Sequence, residues 1–167
     1  MQQPTQVLDR RQVSQKLERM AREIYEHNFD ETVVIMVGIA DRGYLLAERI
    51  AQILQKISPL HVKLVKLHLD KDDPGGNEME LNLSKEEAEN ASMLLVDDVL
   101  NSGKTLIYGA KYLLDYPLKS LKTVILVNRR HRLYPIRADY VGLTLSTTMQ
   151  EHIEVRFEGK EAEVYLD

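Results

Sequence analysis

Met-Leu-Leu-Val-Asp-Asp-Val-Leu-Asn-Ser-Gly-Lys-Thr occupies residues 93–105 and decides the expected fold. Its apolar residues at 93–96 predict a strand that is buried on both faces, as in a parallel sheet. Asp97 and Asp98 follow at the point where we expect this strand to end. A polar loop at 101–105 then leads into the apolar spacing of a helix. Because open α/β sheets bind ligands beyond the carboxyl ends of their strands, we expect a ligand site here.

The residue types after this strand suit a sugar phosphate. A loop rich in Ser, Gly and Thr at a helix N-terminus presents backbone N–H groups and the positive end of a helix dipole to a phosphate. Asp97 and Asp98 cannot hold that phosphate, but their carboxylates can accept hydrogen bonds from neighbouring hydroxyls. The pattern therefore predicts phosphate in the loop and ribose hydroxyls on the acids.

Two other interpretations compete for this segment. Ser102-Gly-Lys-Thr ends as a nucleotide-binding P-loop ends, but that motif requires a glycine five residues before Gly103, where Asp98 stands. A carboxylate at that position would point at the nucleotide phosphates, which disfavours a P-loop. The other interpretation is an ordinary strand–turn–helix crossover with a chance pair of acids. The Gly-Lys-Thr loop on the same strand disfavours it.

The composition predicts one cytoplasmic domain over residues 1–167. A chain of 167 residues, with 44% hydrophobic and 29% charged residues, is large enough to bury a core. It has no cysteine, which excludes disulfides, thiolate metal sites and cysteine nucleophiles. No apolar run matches a membrane span or a signal peptide. The formal net charge of −4 provides no global basic field for nucleic acid.

Apolar spacing elsewhere predicts strands that alternate with helices. The predicted elements are a helix over 10–27 with Asp9 as its N-cap, strands at 32–38, 60–69 and 121–127, a loop at 39–43 with a helix after it, and a C-terminal hairpin at 152–166. Gly38 and Gly43 are expected to allow positive φ and close approach to a ligand. The alternation predicts an α/β fold with a central, mainly parallel sheet flanked by helices.

Residues 93–105 resemble the thirteen-residue phosphoribosyl-diphosphate (PRPP) signature of type I phosphoribosyltransferases. The resemblance implies that fold, with a small C-terminal hood, and it implies that Asp97 and Asp98 bind the ribose hydroxyls. By the same resemblance the 5′-phosphate is held by Asn101, Ser102, Gly103, Lys104 and Thr105. The purine 6-oxo branch usually carries Asp at the position of Asn101, which argues against a hypoxanthine or guanine enzyme.

A second run resembles the pyrimidine operon attenuator/uracil phosphoribosyltransferase family. That family has a similar Gly-Ile-x-x-Arg-Gly segment, matched here over residues 38–43. The resemblance implies a pyrophosphate loop that includes Ala40, Asp41 and Gly43, with Arg42 as a charge-assisted contact. Ala40 and Asp41 depart from the Lys and Thr that are common there. We expect an uncompensated Asp41 carboxylate to repel pyrophosphate.

The most specific match to the same family lies in residues 128–142. The shared residues are His131, Arg132, Pro135, Ile136, Arg137, Ala138, Asp139, Tyr140 and Gly142. The resemblance implies a base pocket formed by Asn128 and Arg129, and by Tyr140 and Val141 at a strand end. Asn128 replaces an Asp that is common in the family. The predicted hood comprises residues 128–138 and 144–167.

Residues 70–91 resemble the flexible loop that closes over PRPP in this family. Lys71-Asp-Asp is the clearest match, and it implies that Lys71 contacts pyrophosphate in place of an arginine. The other interpretation is a mobile surface hairpin with no part in catalysis.

A group of arginines has several interpretations. Arg132 and Arg137 match the basic surface with which Gram-positive relatives bind the leader RNA of the pyrimidine operon, and Arg19 and Arg22 could extend it. The same arginines suit a solvated surface, a dimer ion-pair patch, or positioning of pyrophosphate and base. Stacking aromatics are scarce, with Tyr 8, Phe 2 and no Trp.

The resemblance implies a transferase that converts PRPP and a nucleobase, with uracil as the expected base, into a nucleoside monophosphate and pyrophosphate. It also implies a homodimer or higher homo-oligomer, with Mg²⁺ entering with PRPP. The five histidines show no ligand spacing, so no metal bound by protein side chains alone is predicted. The alternatives are a PRPP-sensing, RNA-binding regulator with weak or no catalysis, and a catalytically silent dimeric scaffold.

Overall fold

A six-stranded, mainly parallel sheet forms the centre of the computed structural model, which describes residues 3–167. The strands are β1 (Thr5–Leu8), β2 (Val33–Ile39), β3 (His61–His68), β4 (Glu80–Leu81), β5 (Ser92–Leu100), β6 (Ser120–Arg129), β7 (Tyr140–Leu145), β8 (Ile153–Glu158) and β9 (Glu161–Leu166). The order in this sheet is β4-β3-β2-β5-β6-β7, and β4 alone runs antiparallel to its neighbour. The predicted α/β fold is confirmed.

Helices cover both faces of this sheet because the side chains of each central strand alternate between two cores. The helices are α1 (Arg10–Asn28), α2 (Ala40–Ile57), α3 (Lys85–Ala88) and α4 (Lys104–Leu113). Met36 and Leu94 pack in the core beneath α1 and α2. Val37 and Leu95 pack in the opposite core, which includes side chains of α3 and α4. Burial on both faces explains the uninterrupted apolar runs.

A second sheet joins the two ends of the described chain in the order β1-β9-β8. The predicted C-terminal hairpin is confirmed: β8 and β9 pair in antiparallel register around Gly159, whose φ is +57°. The other strand, β1, was absent from the sequence prediction. Its four residues carry too little alternation to be recognised without their partner β9.

The structure corrects two predicted boundaries that flank the site. Strand β5 does not end before Asp97 but runs to Leu100, because its parallel ladder with β6 continues to the pair Leu100–Asn128. The predicted loop at 39–43 is wrong as well, since α2 begins at Ala40, immediately after β2. Asp97 and Asp98 therefore lie inside a strand, and Asp41 and Arg42 lie inside a helix. The regular backbone of these elements fixes the directions of their side chains.

Gly38 and Gly43 serve helix packing rather than positive φ. A Cβ on Gly38 would lie 2.3 Å from the Tyr44 Cα, and one on Gly43 would lie 2.6 Å from the Val96 carbonyl oxygen. The positive φ in this segment belongs to Ala40, at +50°. The two glycines bring the first turn of α2 directly against the central strands.

Residues 70–91 contain both loop and regular structure. Strand β4 and the short helix α3 lie within this range, and Leu83 and Ala88 are buried. Ser84 caps α3 through a capping box with Glu87. Flexibility of the remaining loop stays a prediction. Among residues 3–167, no helix has the length and apolar character needed to cross a membrane.

Candidate active site

A cavity of about 400 Å³ opens at the carboxyl edge of the central sheet. It is bounded by the end of β5, the loop at 101–103 and the first turn of α4. Arg42 enters from α2, Lys71 from the loop after β3, and His152 and Ile153 from the C-terminal segment. Four separate parts of the chain therefore converge on the position that the sequence predicted from β5 alone.

Asp97 and Asp98 form a buried acid pair in the wall of this cavity. Their exposed fractions are 3% and 4%. The Asp98 backbone N–H donates to Asp97 Oδ1 at 2.9 Å, and the Val99 N–H donates to Asp98 Oδ1 at 2.9 Å. These bonds fix the carboxylates at the strand end, while the remaining oxygens can accept hydrogen bonds from a ligand.

Lys71 is the nearest cation to this acid pair among residues 3–167. Its ammonium nitrogen lies 2.8 Å from Asp97 Oδ1 and 3.7 Å from Asp98 Oδ1. Burial, followed by the neighbouring Asp98 charge, raises the pKa of Asp97 to about 7, and Lys71 opposes this rise. Burial lowers the pKa of Lys71, but the two carboxylates outweigh it and raise that pKa. The lysine therefore stays protonated and neutralises part of the acid pair.

The loop at 101–103 has the geometry of an anion cradle. Gly103 is the N-cap of α4, with a φ of +90° and no side chain to accept a hydrogen bond. Ser102 Oγ accepts the Lys104 backbone N–H at 3.2 Å, and the Ser102 carbonyl accepts the N–H groups of Leu133 and Tyr134. The backbone at 133–134 thus holds this loop in place. The first turn of α4 faces the cavity with the positive end of the helix dipole.

Arg42 reaches the cavity from the first turn of α2. Its Nη1 donates to the Val155 carbonyl at 3.0 Å and lies 3.9 Å from Asp98 Oδ2. Its side chain is 49% exposed, which leaves guanidinium donors available to an anion. The β8 strand thereby sets the direction of a cation that the sequence predicted to contact pyrophosphate.

Ala40 and Asp41 do not face this cavity. They line a second cavity of about 400 Å³, together with Lys66 and His68. Asp41 is 87% exposed and pairs with the Lys66 ammonium. The hydrogen bond from Lys66 and its charge lower the pKa of Asp41. The expected repulsion assumed an uncompensated Asp41, and the structure supplies a partner from β3.

Asn128 and Arg129 lie at the end of β6 and support the loops rather than the cavity wall. Arg129 is buried, with Nε donating to Thr147 Oγ1 at 2.8 Å, Nη1 to Asn101 Oδ1 at 3.0 Å and Nη2 to the Thr148 carbonyl at 2.9 Å. Asn128 Oδ1 accepts from Arg132 Nη2 at 2.6 Å. Arg129 therefore ties the loop at 101–103 to residues 147 and 148 of the predicted hood.

Tyr140 and Val141 are not brought to the cavity. They begin β7 instead of ending it, and Val141 pairs with Ile125, which in turn pairs with Asp97. Tyr140 is buried, and its hydroxyl lies 2.8 Å from His27 Nδ1. Burial raises the pKa of Tyr140 to about 12. Neither residue lines the cavity that contains the acid pair, and a base pocket at Tyr140 and Val141 stays a prediction.

The four arginines predicted as an RNA surface have different surroundings. Arg19 binds Glu23 and the Val141 and Gly142 carbonyls. Arg22 lies 3.7 Å from Glu18, and Arg132 binds Asn128 and the carbonyls of Asn101 and Arg129. Arg137 is 86% exposed and lies 3.5 Å from Asp139. Within residues 3–167, no hydrogen-bond network links the helix arginines to Arg132 or Arg137.

Sequence reasoning missed two residues of this region. Lys66 sits at the carboxyl end of β3, and His152 lines the main cavity from the segment before β8. Lys66 could have been noticed as a cation at a strand end. His152 carries no recognisable signal, because its position depends on how the small sheet packs.

This fold and this site define a class of protein. The chain matches the family model described as phosphoribosyl transferase domain over residues 3–158, and it belongs to that family. The hypoxanthine phosphoribosyltransferase of Trypanosoma cruzi has a similar fold, with a TM-score of 0.78 at 16% identity, covering 96% of this chain and 95% of that one.

Within that family, the chain is similar to bifunctional PyrR proteins. The Bifunctional protein PyrR of Leuconostoc mesenteroides is 34% identical over 166 aligned positions, covering 94% of this chain and 95% of the relative. That of Geobacter sp. strain M21 is 35% identical over 171 positions, covering 97% of each chain. These matches confirm the resemblance that the motifs predicted.

Proposed function

We propose that this phosphoribosyltransferase transfers the phosphoribosyl group of PRPP to uracil and releases pyrophosphate. The observation that carries the proposal is the single cavity that joins the acid pair, the N-terminal turn of α4, Arg42 and Lys71. A cavity of about 400 Å³ suits a sugar phosphate with charged groups at both ends. In the transfer, the C1–pyrophosphate oxygen bond breaks, a bond from C1 to the base nitrogen forms, and the proton of that nitrogen is taken up by the departing pyrophosphate.

Each part of the cavity has a role in this proposal. The loop at 101–105 binds the 5′-phosphate through backbone N–H groups and the α4 dipole. Asp97 and Asp98 accept hydrogen bonds from the ribose hydroxyls and stabilise the positive charge that develops on the sugar. Arg42 binds the leaving pyrophosphate. These groups bind and orient the reactants, and little covalent chemistry is asked of side chains.

Mg²⁺ would supply Lewis-acid stabilisation of the leaving pyrophosphate. The two carboxylates offer hard oxygen ligands, but they are fewer than the six that Mg²⁺ prefers. The donor set therefore fits an ion whose other ligands are substrate and water oxygens.

Lys71 changes partner in this proposal. In the structure it binds Asp97 and Asp98, whose oxygens the ribose hydroxyls require. When PRPP binds, its ribose hydroxyls replace Lys71 as hydrogen-bond donors to the two carboxylates. Lys71, which lies in the loop at 69–79, is then able to bind pyrophosphate. The loop would then close as the substrate binds, which excludes water from the transfer.

A second candidate function is regulation through RNA. The matched relatives carry the name Bifunctional protein PyrR, and Arg137 exposes 86% of its side chain on this chain's surface. In this alternative the PRPP site acts as a sensor and Arg137 contributes to an RNA surface. A homo-oligomeric state and a cytoplasmic location remain predictions for either function.

Calorimetric titration of PRPP with Mg²⁺, followed by uracil and a pyrophosphate-release assay, tests the proposal. PRPP binding followed by release with uracil supports the transferase, and hypoxanthine and guanine serve as comparison bases. Binding without release on any base favours the sensor, and gel shifts with pyrimidine leader RNA then test the RNA surface. No PRPP binding overturns both functions.

A further inference from the structure

An aspartate adjoins Arg42, the proposed pyrophosphate contact, in the first turn of α2, and a lysine of a neighbouring strand pairs with it. Asp41 lies in the first turn of α2, one residue before Arg42. Lys66 stands opposite Gly38 in the parallel ladder of β2 and β3, and its ammonium contacts the Asp41 carboxylate. We propose that Lys66 is a positioning residue of the PRPP site, which holds Asp41 and cancels its charge. This inference rests on the proposed function.

Lys66 holds the Asp41 side chain in place through their ion pair. Among residues 3–167, Lys66 supplies the one ion pair that Asp41 makes, and the Asp41 side chain is otherwise 87% exposed. Lys66 itself is 29% exposed, and its ammonium lies 5.8 Å from the centre of the Tyr44 ring. The better-packed partner therefore restrains the freer one.

The ion pair with Lys66 keeps the negative charge of Asp41 away from the positive charge of Arg42, although the two residues are adjacent in sequence. Asp41 and Lys66 line the second cavity, whereas Arg42 lines the cavity that contains the acid pair. The Lys66 contact lowers the pKa of Asp41, so the carboxylate stays ionised at neutral pH. Protonation cannot remove its repulsion of pyrophosphate, and compensation has to come from a cation.

Loss of Lys66 leaves a unit negative charge one residue from Arg42. Because the site is open to solvent and to salt, the repulsion between this charge and a magnesium–diphosphate group is reduced but not abolished. Without Lys66 we expect the affinity for PRPP to be about five- to tenfold weaker, which is the order of magnitude that one partly screened charge produces. The rate of the bound complex should change by less than about twofold, since the reacting atoms are untouched.

A charge-compensation cycle tests the proposal. Lys66→Met keeps most of the side-chain packing and should raise both the dissociation constant and the KM for PRPP. Asp41→Asn alone should bind PRPP at least as well as the wild type. The double variant should return to within about twofold of the wild type, because both charges are gone. Lys63→Met is the matched control, since this lysine of β3 pairs with Glu87 instead.

Each other outcome overturns a defined part of the reasoning. Lys66→Met with unchanged PRPP affinity shows that Asp41 needs no compensation. A double variant as weak as Lys66→Met shows that Lys66 binds the ligand directly. Melting temperatures of all variants, measured without ligand, separate these effects from unfolding. A wild-type protein that binds no PRPP refutes the proposed function itself, whereas a failed rescue in an active protein refutes only the role of Lys66.

Discussion

Asp97→Asn should stabilise the ligand-free protein while it removes transferase activity. The folded state raises the pKa of Asp97 from 3.8 to about 7, mainly through burial and then through Asp98. At about 1.4 kcal/mol per pKa unit, ionising this group in the folded state costs about 4 kcal/mol above pH 7. Asparagine keeps the shape of the side chain without the buried charge. Allowing for the lost ion pair with Lys71, we expect a net gain of about 1–3 kcal/mol at pH 8.

The gain should depend on pH in a defined direction. Between about pH 4 and pH 7 the folded protein holds a proton on Asp97 that the unfolded chain has released. Wild-type stability from this group therefore falls as the pH rises through that window, and the asparagine variant escapes the fall. We expect its advantage over the wild type to be smaller by about 2–3 kcal/mol at pH 5 than at pH 8.

Urea unfolding at pH 5 and pH 8 measures this difference, and thermal melting provides a second readout. For a protein of this size, 1 kcal/mol corresponds to about 2–4 °C in Tm. Asp115→Asn removes an exposed carboxylate and should leave the urea midpoint unchanged at both pH values. An Asp97→Asn advantage that is equal at both pH values, or a variant that is less stable at pH 8, would refute the reasoning that burial of the charge dominates.

Three further variants probe the same cavity. Gly103→Ala should lose about 1–2 kcal/mol of stability and raise the KM for PRPP, because the φ of +90° and a Cβ 2.9 Å from Ile136 Cγ2 both disfavour a side chain; melting and kinetics test it. Lys71→Met should raise the pKa of Asp97 above about 7, since Lys71 holds it down, and carbon-13 NMR of the carboxylates measures it. Arg129→Met should lose about 2–3 kcal/mol and weaken 5′-phosphate binding, as it removes the tie to the phosphate loop; urea unfolding and PRPP titration test it.

Each of these expectations has an outcome that contradicts it. A wild-type Tm for the glycine variant would mean that the loop relaxes around a side chain. An Asp97 titration that is unchanged without Lys71 would remove the electrostatic link between the loop and the acid pair. PRPP affinity that survives loss of Arg129 would show that the loop at 101–103 keeps its shape without the hydrogen bond from Arg129.

Local chemistry was sufficient to predict many of the elements. Asp9 caps α1 as its side chain suggested, with the Gln12 N–H donating to Asp9 Oδ1 at 2.8 Å. The doubly buried runs at β2 and β5 predicted a parallel sheet, because only strands covered on both faces are apolar throughout. The cavity beside Asp97 followed from the rule that ligands bind at the carboxyl ends of such strands.

Features that depend on contacts between residues distant in sequence could not be predicted from local sequence patterns. The length of β5 is set by the ladder with β6, so the two acids lie in a strand that sequence rules would end earlier. Tyr140 was assigned to a strand end because its motif gives no direction along the sheet. The compensation of Asp41 by Lys66 bridges a separation of 25 residues, and no spacing pattern encodes it.

The pairing of β1 with β9 has a consequence for the order in which the protein folds. Thr5 pairs with Leu166, while the ladders of the central sheet are complete once Leu145 is available. During synthesis from the N-terminus, every strand of the central sheet is therefore made before β8 and β9. The Val155 carbonyl that directs Arg42 arrives only with that last segment. The acid pair and the loop at 101–103 would then be assembled first, and the Arg42 side of the cavity would mature in a late step dominated by long-range contacts.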